Sequence, residues 1–349
     1  MLSKIISEKN IEILRQLLNG AENIAIVTHI SPDGDAVGSS LGLAHFLKGL
    51  GKQATVIVPN RFPAFFNWLS GAQDIIIYEE QNEAAQKAIS EAQLIFCLDF
   101  NSLDRINGVA SLVKSSEAKK VLIDHHVNPK EFCDVIISHP EISSTSELVF
   151  RAICRLGYFP DITKECAEAI YVGMMTDTGN FSYNSQQPEI YQIISELLFK
   201  GIDKDAIYSR VYNTYSVNRM RLMGYCLSRK MKIFPEVRAA IMVLTLEEQE
   251  RFDYQVGDAE GFVNLPLSIE GIDISVLVRE DAKKIKLSFR SQGTFPVNKM
   301  AEMFRGGGHL NAAGGESYQS MRKTLWKLEN LIKNRADFES TVASSEVDE

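Results

Sequence analysis

This sequence predicts an α/β fold: a mostly parallel sheet covered by helices, followed by a smaller α+β unit. Three observations carry that reading. Continuous apolar runs alternate with helical spacing through the first half of the chain. Clear two-residue alternation appears only after about residue 230. A chain of 349 residues is also longer than one small core requires, so two domains are expected.

Residues 22–29 contain IAIVTH, a run apolar enough for a strand buried on both faces. Residues 36–51 place Val37, Leu41, Ala44 and Leu47 at helical spacing, and Gly51 ends that helix. Strands follow at 53–58 and 74–78, a helix at 83–92, and buried strands at 94–99 (LIFCLD) and 121–124 (VLID). Strands of this kind alternating with helices make a parallel sheet with both faces covered. Three helices are predicted at 144–156, 164–175 and 189–200. The stretch 203–227 reads as a helical connector, which sets a first domain at 1–202 and a second at 228–334. In the second, strands are expected at 237–244, 272–279 and 283–290. Ile285, Leu287 and Phe289 point one way in the last of these, while Lys286, Ser288 and Arg290 point the other. Helices are predicted at 297–304 and 320–333. The acidic tail 335–349 has few large apolar residues and predicts disorder.

Composition excludes several functions. No apolar run approaches the roughly 20 residues of a membrane span, and the first ten residues lack the apolar stretch of a secretion signal. The five cysteines are odd in number and unpaired by spacing, as expected of reduced cytosolic thiols. A net charge of −8 argues against coating long nucleic acid. That charge is uneven: −6 up to Tyr225, +2 from Cys226 to Asn334, and −4 in the tail. Aspartates clustered to hold cations would account for part of the first figure.

Four short motifs supply that cluster: His29-x-x-x-Asp33-x-Asp35, Asp99, Asp124-His125-His126 and Asp177. The first three follow predicted strands, and Asp177 is expected in a glycine-containing loop. In open parallel sheets the carboxyl ends of strands meet along one rim. Carboxylates suit hard divalent cations, and imidazole shifts the preference toward transition metals, so Mn²⁺ fits the mixture best, with Mg²⁺ or Co²⁺ as alternatives. Asp33-Gly34-Asp35 could equally cap a helix, as could Asp99. Asp124-His125-His126 has no such packing role. A second constellation is Arg305-Gly306-Gly307-Gly308-His309 followed by Asn311-Ala312-Ala313-Gly314-Gly315. Successive glycine N–H groups can form an anion nest, with donors from His309 and Arg305 and a bidentate grip from Arg290.

In this order the motifs resemble the DHH phosphoesterase superfamily with a DHHA1 C-terminal domain, and within it the NrnA-type oligoribonucleases and pAp phosphatases. The resemblance implies that His29, Asp33 and Asp99 bind one Mn²⁺, and that Asp35, Asp99, His125 and Asp177 bind the other, with Asp99 bridging. It implies that His126, in the motif opened by Asp124, stands at the substrate phosphate, and that Arg290, Gly307, Gly308 and His309 hold the substrate. Arg105 is a further candidate at that cleft. The expected substrates are very short single-stranded RNA, linear pApA and 3′-phosphoadenosine 5′-phosphate, clamped by two domains of a cytoplasmic homodimer. Other classes to weigh are an inorganic pyrophosphatase or polyphosphatase, a RecJ-like exonuclease, and a nucleotide-binding module without turnover.

Overall fold

The computed structural model describes residues 4–336 and 338. The chain forms two compact units that divide between Thr214 and Tyr215. No helix among the described residues is long and apolar enough to cross a membrane.

The first unit runs α1 (Glu8–Gly20), β1 (Asn23–Val27), α2 (Gly34–Gly49), β2 (Gln53–Val58), β3 (Ile76–Ile77), α3 (Asn82–Glu91), β4 (Leu94–Leu98), α4 (Val109–Ser115), β5 (Lys119–Asp124), β6 (Val135–Ser138), α5 (Thr145–Leu156), α6 (Lys164–Asp177), α7 (Pro188–Phe199) and α8 (Lys204–Tyr212). Its six strands are ordered β3-β2-β1-β4-β5-β6, all parallel. The chain moves outward from β1 on one side and returns to its other side with β4. The switch point of the sheet therefore lies between β1 and β4, where ligands of doubly wound sheets bind. The apolar runs are buried as predicted: every residue of β4 is in the core. The expected strand at 74–78 shrinks to Ile76–Ile77 after a 3-10 turn at Ala72–Asp74.

One contact sets the geometry of the site. Gly34, Gly38 and Gly42 form a stripe on α2, facing α6. A Cβ on Gly38 would lie 2.5 Å from the Ala169 carbonyl oxygen, and one on Gly173 of α6 would lie 1.9 Å from Ser146 Oγ. Glycine is needed because the backbones touch. That approach holds the start of α2, with Asp35, beside the end of α6, with Asp177.

The second unit runs α9 (Val217–Tyr225), a π-helical turn (Cys226–Lys230), β7 (Met231–Phe234), β8 (Ala239–Leu244), α10 (Leu246–Arg251), a 3-10 helix (Phe262–Ser268), β9 (Ile274–Glu280), β10 (Ile285–Ser291), α11 (Val297–Glu302), β11 (Gly307–His309), β12 (Ala312–Ser317) and α12 (Met321–Lys333). Its sheet has the order β11-β12-β10-β9-β8-β7 and is antiparallel apart from β8 with β9. The alternation read in β10 holds: Ile285, Leu287 and Phe289 are buried, with α11 and α12 in the same core.

The expected helical connector at 203–227 is two helices. Ile207 and Val211 of α8 are buried in the first core, and Leu222 of α9 in the second. Most of the tail lies outside the described residues. Arg335, assigned to that tail, belongs to the folded unit, with its Nη1 2.7 Å from Asp273 Oδ1.

Candidate active site

His29 follows β1, Asp99 follows β4, and Asp124-His125-His126 closes β5, so three motifs meet at the sheet's carboxyl rim. Asp33 is the N-cap of α2, its Oδ1 accepting from Asp35 N at 3.0 Å and Ala36 N at 3.1 Å. Capping and membership of the cluster thus coincide in one side chain. Asp99 has φ of +65°, a left-handed conformation uncommon outside glycine, and such strain concentrates at functional sites.

Asp177 corrects the sequence expectation. It is the last residue of α6 and not part of a loop. A carboxylate at a helix C-terminus opposes the helix dipole, so its position there costs stability unless a cation lies nearby. Burial pushes Asp177 up to about 6, against the pull of His125.

The donor atoms converge closely. His29 Nε2 is 3.2 Å from Asp99 Oδ2 and 3.8 Å from Asp33 Oδ1. His125 Nε2 is 3.5 Å from Asp99 Oδ1, 3.5 Å from Asp177 Oδ2 and 3.8 Å from Asp35 Oδ2. Octahedral ligands at about 2.1 Å from an ion stand about 3 Å from one another. Both sets, His29 with Asp33 and Asp99, and Asp35 with His125 and Asp177, have donors within 4.8 Å of one another. The two oxygens of Asp99 face different sets.

The histidines are oriented from behind. His29 Nδ1 lies 2.8 Å from the Ile30 carbonyl and His125 Nδ1 3.2 Å from that of Ile142. A carbonyl only accepts, so Nδ1 carries the proton in each ring and Nε2 turns to the carboxylates, as metal-binding imidazoles do. Asp124 Oδ1 similarly lies 2.7 Å from His126 Nδ1, and buried Asp124 Oδ2 has no hydrogen-bond partner among the described residues.

The charge of the cluster bears on whether it could hold metal. His29, His125, Asp35 and Asp99 are buried, Asp177 is partly so, and Asp33 is half exposed. Buried charges need compensation. Burial alone would lower His29, but Asp33 and Asp99 override it and hold it up to about 10. Burial raises Asp35 well above the usual carboxylate range, and Asp99 and Asp177 raise it further. Burial would raise Asp99 too, yet His125 and His29 hold it well below that range. The donors themselves, of mixed oxygen and nitrogen character, fit divalent transition cations.

The sequence reading missed the start of α5. Thr145 N and Ser146 N donate to Asp35 Oδ2 and Oδ1 at 2.6 and 2.9 Å, and Thr145 Oγ1 donates to Asp99 Oδ1 at 3.0 Å. The run Ser143-Ser144-Thr145-Ser146-Glu147 carries an S-x-x-E capping signal, which marks a helix start but not what it faces. Arg105 lies in a 3-10 turn (Leu103–Ile106) whose Arg105 carbonyl accepts from Ile30 N at 2.7 Å. The turn therefore adjoins the His29 segment.

In the second unit, the predicted glycine nest is instead an edge strand. Gly307–His309 pairs antiparallel with β12, so its N–H groups alternate in direction and do not converge. Gly306 and Gly308 are required by close backbone packing: a Cβ would lie 1.9 Å from Gly314 O and 2.6 Å from Ala312 O respectively. Gly307 faces open space. Arg290 pairs with Ala312, and Ala312 with His309, which places all three in one cross-strand row on the same face. Arg290 Nε is buried without a hydrogen-bond partner among the described residues.

The parallel-sheet unit ending in aspartates and histidines, and the mixed-sheet unit with its glycine edge, are each matched by a family model. Residues 23–174 match the DHH family, N-terminal domain, and residues 238–337 match the DHHA1 domain. The bifunctional oligoribonuclease and PAP phosphatase NrnA of Thermus thermophilus is 31% identical over 307 residues, 88% of each chain. Its namesake in Bacillus subtilis is 25% identical, over 89% of this chain and 95% of that one. A crystal structure of an exopolyphosphatase-related protein from Bacteroides fragilis is 55% identical, with a TM-score of 0.90 over 95% of this chain and 98% of that one. The chain belongs to the DHH family of phosphoesterases, in the branch that carries a DHHA1 domain.

Proposed function

We propose that this enzyme hydrolyses very short oligoribonucleotides, pApA included, to 5′-mononucleotides, and dephosphorylates 3′-phosphoadenosine 5′-phosphate to AMP. The observation that carries this reading is the pair of three-donor sets whose shared neighbour, Asp99, faces each with a different oxygen. The NrnA likeness supplies the substrate class. The two reactions have a common chemistry. Each breaks a P–O3′ bond, with the nucleoside 3′-oxygen as leaving group and water as the nucleophile.

In this reading His29, Asp33 and Asp99 hold one divalent cation, and Asp35, Asp99, His125 and Asp177 hold the other, with Mn²⁺ the favoured metal. Two such ions would activate water and neutralise charge on the phosphoryl oxygens. His126, steadied by Asp124, donates to a phosphoryl oxygen as charge develops there. Arg290 and His309 bind a second phosphate or the nucleotide body, and Gly307 lets it approach the β11 backbone. Arg105 is the remaining candidate for a substrate contact. The net charge of −8 gives little attraction to longer strands.

The test is a product time course on 5′-labelled dinucleotide, 5-mer and 24-mer RNA, with pAp, pyrophosphate and polyphosphate in parallel, under Mn²⁺ or Mg²⁺. Dinucleotide and pAp should be turned over fastest. Faster release of phosphate from pyrophosphate or polyphosphate would move the enzyme to the inorganic-phosphate class. Equal kcat/KM on dinucleotide and 24-mer would favour a RecJ-like exonuclease.

A further inference from the structure

Thr145 is neither a candidate metal ligand nor a candidate substrate contact, yet it touches a carboxylate of each donor set. It is the first residue of α5 and fully buried. Its N–H holds Asp35 at 2.6 Å and its hydroxyl holds Asp99 at 3.0 Å. The helix N-terminus favours the Asp35 carboxylate. The hydroxyl does something different. Asp99 Oδ2 faces His29 and Oδ1 faces His125, so rotation about its side-chain torsions would lose one partner or both. A donor fixed on Oδ1 opposes that rotation.

Thr145 is itself held from behind. Ser144 Oγ caps α5 by accepting from Glu147 N at 3.1 Å. Glu147 accepts from Ser143 Oγ at 2.6 Å and from Arg151 Nε at 2.8 Å. Glu147 and Arg151 are 0% and 2% exposed, so this is a buried ion pair. Such pairs add little stability over apolar residues of the same volume, but removing one partner is costly. Here the pair fixes the turn from which Thr145 reaches both aspartates.

We infer that Thr145 is a positioning residue that sets the separation and orientation of Asp35 and Asp99, and through them the affinity for the cation pair. The inference rests on the metal-centre reading above. Removing the hydroxyl while keeping the β-branched shape, Thr145→Val, should weaken Mn²⁺ binding by about 10–100-fold, as loss of a group that orients a ligand does. Excess Mn²⁺ should recover much of kcat, with KM for dinucleotide changed less than threefold.

The experiment measures Mn²⁺ binding to the full chain by equilibrium dialysis, beside kcat and KM, for wild type, Thr145→Val, Thr145→Ser and Thr145→Ala. Serine and alanine both lack the methyl group, and only serine keeps the donor. Wild-type affinity in Thr145→Ser with weakened affinity in Thr145→Ala supports the inference even if the valine variant does not fold. Equal affinity in the serine and alanine variants, at the wild-type level or below it, overturns it. The Asp99→Ala variant separates the two claims. If it retains both ions, the metal-centre reading fails and the positioning role falls with it. If it loses them while Thr145→Ala binds normally, only the positioning role fails.

Discussion

His126 Nδ1 stands 2.7 Å from Asp124 Oδ1, so the first and last residues of one three-residue motif are bonded to each other. Asp124 is fully buried and fixes both the tilt of the ring and the proton on Nδ1. His125, between them, turns its Nε2 to Asp99, Asp177 and Asp35 instead. Both histidines lie just beyond the last residue of β5, and both rings approach Asp99 Oδ1, at 3.5 and 3.8 Å. In the proposed function the first histidine serves the metal and the second the substrate.

From this division, His126→Ala should lower kcat by about 10²–10³-fold, the usual cost of losing a donor to a developing oxyanion. Metal content should stay as in wild type. Asp124→Asn should cost less, about 10–100-fold, because the ring is misoriented but present. Steady-state kinetics with parallel metal analysis test both. A His126→Ala enzyme with altered KM and unchanged kcat would place the residue in ground-state binding only.

Asp99→Ala should abolish more activity than the roughly 100-fold lost with a group that merely orients a ligand, and should retain less than one equivalent of metal. The reason is the split between its two oxygens, which face His29 and His125 respectively. Metal analysis of the purified, folded variant decides the matter. Two retained equivalents would mean that the sets are independent of Asp99.

The parallel sheet was legible because strands buried on both faces need continuous apolar runs, and LIFCLD or VLID leave little else to read. Asp124-His125-His126 was legible because three ionisable residues directly after such a run have no packing purpose, whereas Asp33 and Asp99 could equally have been helix caps, and Asp33 is one. Other features were hidden for identifiable reasons. Strand β11 has glycine composition and reads as a loop; its extended shape comes from pairing with β12, which local sequence does not encode. Asp177 was assigned to a loop because Gly179 follows it, although α6 runs on through Asp177 itself. The link from Thr145 to Asp35 spans 110 residues and depends on where α5 lands in the fold. The glycines of α2 stood at four-residue spacing in plain view, but their meaning required a partner helix.

That partner makes Gly38 a stability test. Alanine would gain roughly 1 kcal/mol of helix propensity over glycine. A methyl group 2.5 Å from the Ala169 carbonyl oxygen meets main chain, which cannot rotate away. Overpacking of this kind costs about 1–3 kcal/mol, so Gly38→Ala should unfold at lower urea concentration than wild type. It should also bind metal more weakly, because Asp35 and Asp177 ride on the two helices forced apart. A midpoint equal to or above wild type would show that the helices separate without strain.

The second unit allows packing and binding to be told apart along one strand. A Cβ at Gly306 would meet Gly314 O at 1.9 Å, whereas one at Gly307 would meet nothing within 4 Å. Gly306→Ala should therefore destabilise the protein by about 1–3 kcal/mol, and Gly307→Ala by no more than about 0.5 kcal/mol. If substrate approaches the β11 backbone, Gly307→Ala should nevertheless raise KM for dinucleotide, by steric exclusion alone. Arg290→Ala and His309→Ala should raise it further, since each removes a donor from the row shared with Ala312. In all three variants the bound metal should match wild type. Urea melts, metal analysis and KM measured on one set of proteins separate these effects. Unchanged KM in Gly307→Ala and Arg290→Ala would remove this face of the sheet from the substrate site.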